Sequence, residues 1–241
     1  MENNFISLNL LKESALKFNI ELDETALKRF DIYARMLVDW NEKINLTAIT
    51  EPDEIVIKHF TDSLTIFSYV DIPQGAKVID VGTGAGFPGL AMLIARPDIE
   101  LTLIDSTNKK LNVIRDILEN IGLSANVVHI RAEVAGQDKA FREKYDFATA
   151  RAVANLRDLS EYCLPFVKVG GSFVSMKSAK TPEEINQAKK AIKILGSSIE
   201  NIDSFELFDC GERTIINVKK ISSTPVKYPR PSAKMAKFPL E

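Results

Sequence analysis

An α/β fold is predicted by this sequence: a mostly parallel sheet ending in an antiparallel hairpin, preceded by a helical N-terminal segment. Three observations carry it. From Lys77 onward short apolar runs alternate with amphipathic stretches, the rhythm of strands crossed over by helices. Asp80 to Leu90, reading DVGTGAGFPGL, packs Gly82, Gly84, Gly86 and Gly89 into eight residues between an apolar run and an apolar helical segment. Near the end, Ser204–Phe208 and Thr214–Ile221 are strand-like runs joined by Asp209-Cys210-Gly211-Glu212, a hairpin connection rather than another crossover.

The first seventy or so residues read as helices. Asp23 can cap a helix whose apolar positions Leu27, Phe30, Ala34, Leu37 and Val38 recur at three- and four-residue spacing, with Trp40 and Ile44 continuing toward its end. Thr50-Glu51-Pro52-Asp53 joins a capping residue, a proline and an acid, and starts a second helix running to about Tyr69. Ile72-Pro73-Gln74-Gly75 reads as a linker. Strands follow at Lys77–Ile79, Leu101–Asp105, Ala125–Ile130, Asp146–Ala150 and Ser172–Lys177, with a helix over Asn108–Ile121. Thr181-Pro182-Glu183-Glu184 caps a further helix. The chain thus divides into a helical segment (residues 1–74), an α/β domain (75–221) and a tail (222–241).

With 241 residues and 45% hydrophobic content the chain can bury a substantial core. No apolar run reaches membrane-span length and the N-terminus lacks a signal peptide's basic flank, so a cytoplasmic, soluble protein without membrane association is expected. Cys163 and Cys210 have 46 residues between them and no nearby His or second Cys. They read as core fillers; neither a zinc site nor a disulfide is expected. The net charge of −2 hides an asymmetry: from Arg213 to Leu240 seven basic residues occur and no acid. Without those seven, 24 basic residues face 33 acidic ones, a balance of −9. A basic tail of this kind is either a solvated end or a handle for a phosphate polymer.

The glycine stretch satisfies two cofactor patterns, G-x-G-x-x-G over Gly84–Gly89 for a dinucleotide and D-x-G-x-G-x-G over Asp80–Gly86 for S-adenosylmethionine; a bare tight turn is the third reading. Asp80 favours the second, because a carboxylate at a strand's end opposes a pyrophosphate but suits the ammonium of a methionine moiety. Strands closing in an antiparallel pair are also the usual plan of the Rossmann-like S-adenosylmethionine-dependent methyltransferase domain. Asp105, 19 residues beyond Gly86, stands where an acid accepts hydrogen bonds from ribose hydroxyls, or else caps the next helix. Ala132-Glu133 can meet an adenine edge, or Glu133 merely favours a helix dipole. Arg151 ends the fourth strand at the switch point, able to grip a carboxylate or phosphate, or to pair with Asp105 or Asp146. His59 and His129 receive no proton-transfer role.

These residues resemble the bacterial 16S rRNA guanine-N7 methyltransferases, the RsmG or glucose-inhibited division protein B family, over nearly the whole chain. The shared motifs are Asn45-Leu46-Thr47-Ala48-Ile49, His59-Phe60-Thr61-Asp62-Ser63-Leu64, the glycine stretch through Phe87-Pro88-Gly89-Leu90, Asp105-Ser106 with Lys109-Lys110, Arg131-Ala132-Glu133, Ala150-Arg151-Ala152-Val153, and Pro229-Arg230 through Lys237-Phe238-Pro239-Leu240. Ala233 stands where these proteins usually carry glycine. The resemblance implies S-adenosylmethionine as cofactor and 16S rRNA or a small-subunit particle as substrate. Gly82, Phe87, Ala132, Glu133 and Arg151 are then cofactor contacts beside Asp80, Gly84, Gly86 and Asp105. His59, Arg230, Lys234 and Lys237 are candidate RNA contacts. A monomer without a metal is expected, and no residue is expected as a general base, since guanine N7 carries a lone pair and no proton. An NAD-dependent oxidoreductase is disfavoured by Asp80, the hairpin and the lack of a Tyr-x-x-x-Lys pair; a non-catalytic RNA-binding protein would have no need of the intact Asp80 turn and Asp105.

Overall fold

The computed structural model describes residues 4–151, 154–178 and 182–240. Among these, the strands are β1 (Lys77–Val81), β2 (Glu100–Asp105), β3 (Asn126–His129), β4 (Tyr145–Arg151), β5 (Val167–Lys177), β6 (Ser197–Glu206) and β7 (Glu212–Lys220). They form one sheet in the order β3-β2-β1-β4-β5-β7-β6, parallel through β5, with β7 antiparallel to both β5 and β6. The order reverses beside β1, so the carboxyl ends of β1, β2 and β4 open a crevice there. β1 is central and carries an uninterrupted buried run from Val78 to Val81, as a strand covered on both faces must. Its alternation divides the core: Val78 packs into one hydrophobic cluster, Ile79 and Val81 into the other.

The first cluster joins the N-terminal helices to the sheet. Helix α1 spans Leu8–Leu16 and α2 spans Glu24–Asn41, capped as expected by Asp23, whose carboxylate accepts from the Ala26 amide at 2.7 Å. Phe30, Tyr33, Ala34 and Leu37 of α2 are fully buried against the same cluster as Leu90 and Met92 of α3 (Gly89–Ala95) and Ile114 and Ile117 of α4 (Asn108–Asn120). Ile44 lies past the end of α2 and only packs on its margin.

The expected helix from Thr50 to Tyr69 is broken. Its cap is Glu51, not Thr50, with no side-chain hydrogen bond. After one turn at Pro52–Glu54 the backbone widens into a π-helix over Ile55–Thr61, followed by short α-turns at Asp62–Leu64 and Ile66–Tyr69. Each widened turn holds an extra residue, which a period of 3.6 cannot forecast. It lets Phe60 stack toward Phe30 in the core, at 4.7 Å between ring centroids, while His59 next to it meets Phe87 at 4.5 Å.

The second cluster is covered by α5 (Ala132–Ala135), α6 (Leu156–Cys163), α7 (Pro182–Ile194) and the tail, which ends in α8 (Ser232–Lys237). Thr181, the expected cap of α7, lies outside the described residues. The hairpin forms, but β6 begins at Ser197, and Phe208 is a left-handed residue (φ 51°) in the connecting 3₁₀ turn. Cys163 is a core filler; Cys210, in that turn, is not.

Part of the basic end of the chain is tied down: of its seven cations Arg213, Lys220 and Arg230 lie against carboxylates of other elements. Lys220 is fully buried and donates to the Leu164 carbonyl and the Thr224 hydroxyl, with Glu143 at 3.5 Å. Burial holds its amine down at about 8. Arg230 donates through Nε and Nη2 to both oxygens of Glu161, which is itself 1% exposed and also accepts the Arg230 amide. Arg142 adds donations to the carbonyls of Thr224 and Tyr228. A buried pair of this kind is costly to break from one side, because the surviving charge stays desolvated. Glu161→Ala is therefore expected to lower unfolding free energy by about 3–5 kcal/mol. Urea denaturation measures this; a loss below about 1 kcal/mol, typical of a surface pair, would mean that the tail is held by its apolar contacts alone.

Candidate active site

The glycine turn is built around the buried carboxylate of Asp80. One oxygen, Oδ2, accepts from the Thr83 hydroxyl at 2.7 Å and from the Gly89 amide at 2.9 Å, tying the strand's end to the start of α3. Gly89 is required by this approach: a Cβ there would stand 2.6 Å from Leu103 and 2.8 Å from Asp80. Between these anchors Gly82 and Gly84 adopt left-handed backbone (φ 72° and 60°), and the amides of Gly82 and Thr83 both donate to the Ile104 carbonyl. Gly86 (φ 108°) makes room for Tyr33, whose hydroxyl donates to the Ala85 carbonyl at 2.7 Å.

Asp80 is 0% exposed: its Oδ2 is turned to the donors of the turn, while Oδ1 is buried with no hydrogen-bond partner among the described residues. Burial raises its pKa to about 6, against the opposing pull of the Thr83 and Gly89 donors. Gly86 is likewise packed behind the turn.

The crevice is a cleft of about 610 Å³, within the range of small-molecule sites. Its walls are the Gly82–Ala85 backbone, Asp105-Ser106 at the end of β2, the Ile130–Glu133 segment, and Phe87 with Arg151. Asp105 accepts from the Gly84 amide (Oδ2, 3.0 Å) and the Thr107 amide (Oδ1, 2.7 Å), so each oxygen keeps a further lone pair for a ligand hydroxyl. It is not a side-chain cap for α4, whose N-cap is Thr107. Glu133 is held by Arg131 at 2.7 Å, and Arg131 in turn donates to Ser232 of the tail. This donor set fits an adenosine with a charged side chain: a carboxylate for ribose hydroxyls, Ile104 and Ile130 for a ring, and loop backbone in left-handed geometry beside it.

At the far end the cleft closes on a cluster that sequence spacing did not assemble. Arg151 pairs with Asp62, Nη1 to Oδ2 at 3.0 Å, and not with Asp105 or Asp146. Asp146 is occupied instead by Lys168 and the Lys77 amide. The second Asp62 oxygen accepts from Arg213 Nε at 2.9 Å. Arg151 also lies over the Phe87 ring, 4.9 Å from its centroid, and Nη2 faces His59 Nδ1 at 3.3 Å. A guanidinium only donates, so Nδ1 is the acceptor and the proton sits on Nε2, which donates to Thr47 Oγ1 at 2.8 Å. His59 is 8% exposed; burial, then the charge of Arg151, lower its pKa to about 3. Thr47 and Asp62 belong to motifs legible in the sequence, whereas nothing local marked Tyr33 or Arg213.

Of the expected RNA contacts, Lys234 and Lys237 are exposed on α8. Arg230 is held by Glu161, and His59 lies inside the protein, where it borders the cleft. Among the described residues no group of three or more His, Cys, Asp or Glu could hold a metal, and no helix is long and apolar enough to cross a membrane.

The profile of the GidB family, rRNA small subunit methyltransferase G, matches residues 26–215. Proteins named ribosomal RNA small subunit methyltransferase G from Bacillus subtilis and Desulforamulus reducens are 48% and 46% identical, covering 92% and 95% of this chain and 94% and 97% of theirs. The relative of that name from Clostridium novyi is 44% identical over 100% of both chains. Solved structures share the fold at low identity. A SAM-dependent O-methyltransferase from Thermotoga maritima superposes with TM-score 0.52 at 14% identity, covering 78% of this chain and 73% of that one. A 16S rRNA (adenine(1408)-N(1))-methyltransferase from Catenulisporales acidiphilia gives 0.53 at 13%, covering 63% and 88%. The match across most of the chain, at this identity, makes the protein a member of the rRNA small subunit methyltransferase G family.

Proposed function

We propose that this protein uses S-adenosylmethionine to methylate N7 of a guanine in the 16S rRNA of the small ribosomal subunit, in the cytoplasm. The observation that carries the reading is the junction at the end of the cofactor cleft. There His59, Arg151 and Asp62 are locked to one another, and the one histidine is held neutral with its Nδ1 lone pair facing a guanidinium. Such a site offers no free base, which suits a nucleophile that has no proton to lose. When bound, the cofactor would supply a methyl group on a sulfonium, whose S–CH3 electron pair stays on sulfur as a neutral thioether while the N7 lone pair forms the new bond, so no proton has to be removed.

The protein's part is then placement. Asp105 takes the ribose hydroxyls, the Gly82–Ala85 backbone and the Ile130–Glu133 segment frame the nucleoside, and Phe87 with Arg151 closes the methionine end. Asp80 acts from behind, fixing the turn and setting a negative charge near the cofactor's cationic end. The N-terminal segment belongs to this site, since Tyr33 clamps the turn while Thr47, His59 and Asp62 build the junction. Lys234 and Lys237 are placed to meet RNA phosphates.

Labelled S-adenosylmethionine offered with naked rRNA, small subunits and tRNA should label small-subunit RNA, at a position cleaved by N7-methylguanine chemistry. Label on tRNA alone, or on none, sinks the proposal. Asp105→Ala should raise the dissociation constant for S-adenosylhomocysteine about 10- to 100-fold, the scale of hydrogen bonds to a charged group, with little loss of RNA affinity. An unchanged constant would assign Asp105 to loop holding only. Lys234→Ala with Lys237→Ala should lower the slope of log affinity for RNA against log salt by about 1 to 2; an unaltered slope removes these lysines from the interface. The rate should show no histidine limb across the neutral range. Because the folded-state pKa of His59 lies below the ordinary 6.5, its contribution to stability is complete above that pH and is lost as pH falls toward 3. Asp80, raised from 3.8 to about 6, works oppositely, its share being lost as pH rises through that interval. His59→Gln should thus flatten the acid side of the melting-temperature profile, and an equally steep acid limb would contradict the buried neutral ring.

A further inference from the structure

Thr47 stands in the wall of the cofactor cleft with His59, Phe87 and Arg151, at the end given above to the methionine. Its loop is pinned. Asn41, the last residue of α2, accepts through Oδ1 from the Leu46 amide at 2.8 Å and from the Thr47 amide at 3.0 Å, which ties the loop to the end of a helix. The Thr47 hydroxyl oxygen is in turn fully engaged as an acceptor. His59 donates to it from Nε2 at 2.8 Å, since the other ring nitrogen faces the Arg151 guanidinium, and the Ile49 amide donates to it at 3.0 Å. A hydroxyl has two lone pairs and one proton, and both lone pairs are taken. The proton is left over. Among the described residues it meets no acceptor, and Thr47 is half-buried, with the cleft along its open side.

An ordinary threonine turns its hydroxyl to suit either a donor or an acceptor, whereas this one can only donate. It is a donor of fixed polarity on a rigid loop, at the end of the cleft where methyl transfer is to take place. Guanine sets two acceptors side by side on its outer edge, N7 and O6; adenine sets an amine beside N7. A donor on N7 would occupy the lone pair that the reaction needs. We propose that Thr47 donates its hydroxyl proton to O6 of the target guanine, so that the base is held by the atom next to N7 while N7 itself stays bare toward the methyl group. Adenine in the same pose brings its amine against the hydroxyl proton, and the hydroxyl cannot reverse while His59 and Ile49 hold its lone pairs. The wrong base is then rejected because a fixed donor is left unpaired. The contact moves no proton: N7 gains a methyl group and Thr47 keeps its hydrogen. This inference rests on the guanine-N7 reading above and names the residue that reads the base.

Free nucleotides test the contact without methyl transfer. The full chain, saturated with S-adenosylhomocysteine, is titrated with GMP, with inosine monophosphate, which keeps O6, and with 2-aminopurine riboside monophosphate, which lacks it, while backbone amide resonances are followed by NMR. The first two are expected to bind alike and to shift the amides of 46 to 49. The 2-aminopurine nucleotide should bind about 5- to 100-fold more weakly, the scale of one donor left unpaired. Thr47→Val keeps the shape and removes the hydroxyl, and should bring the three nucleotides to equal affinity. It also takes an acceptor from His59, so the readout is the ratio among the nucleotides, which a threonine with only a structural duty would leave unchanged. Thr47→Ser, which keeps the hydroxyl, should keep the ratio. Equal binding of the three nucleotides to the wild-type chain, a ratio that survives Thr47→Val, or one that is lost in Thr47→Ser each overturn the proposal. A ratio that holds in the wild-type chain and vanishes in Thr47→Val, in a protein that labels no rRNA, would instead refute the function proposed above and leave this contact standing.

Discussion

The geometry of the cofactor cleft depends on a single buried carboxylate. Asp80 has no access to solvent; its Oδ2 accepts from the Thr83 hydroxyl and the Gly89 amide of the glycine turn, while its Oδ1 is buried with no hydrogen-bond partner among the described residues. An isolated carboxylate is expensive to bury, so the turn must keep its donors aimed inward for the ion to be tolerated. The left-handed glycines between those donors follow from this, as does the absence of a side chain at position 89. Tyr33 of α2 closes the turn from behind, which makes an N-terminal helix part of the glycine turn's foundation.

A second electrostatic knot, Asp62 between Arg151 and Arg213, does for the far end what Asp80 does for the near end. It joins the broken helix before the sheet, the end of β4 and the hairpin strand β7. Two guanidiniums on one carboxylate leave a net positive charge beside His59, which burial first and then the charge of Arg151 keep neutral. The site is thus arranged to hold groups still rather than to move protons.

Local features made much of this legible in the sequence. The places of the strands along the chain and the closing hairpin followed from apolar runs of strand length, and the glycine spacing located the crevice, with Asp105 at its second wall. What escaped was everything set by distant contacts. Arg151 and Asp62 are 89 residues apart, and the sequence offered Asp105 and Asp146 as nearer partners. Arg230 and Glu161 are 69 apart, so a residue that reads as a cationic handle turns out to be a buried anchor. Asp80 stood out as a charge at a strand's end, yet one partner of its Oδ2 is a donor at position 89 that only the folded turn reveals. The π-helix at Ile55–Thr61 escaped for a different reason, since its widened turns break the period by which helices are recognised.

The anchoring of the tail changes what its remaining charges can do. A loose basic extension pays a large ordering cost when it settles on a polyanion, and its reach blurs where it binds. Here Arg230, Lys220 and Arg142 have already fixed the chain leading into α8, and Met235 and Leu240 are buried. The two lysines of α8 stand on a rigid mount whose neighbour, Ser232, touches Arg131 at the rim of the cofactor cleft. In the function proposed above the tail is a ruler: a phosphate seated on it would fix how far along the strand the nucleotide entering the cleft must lie.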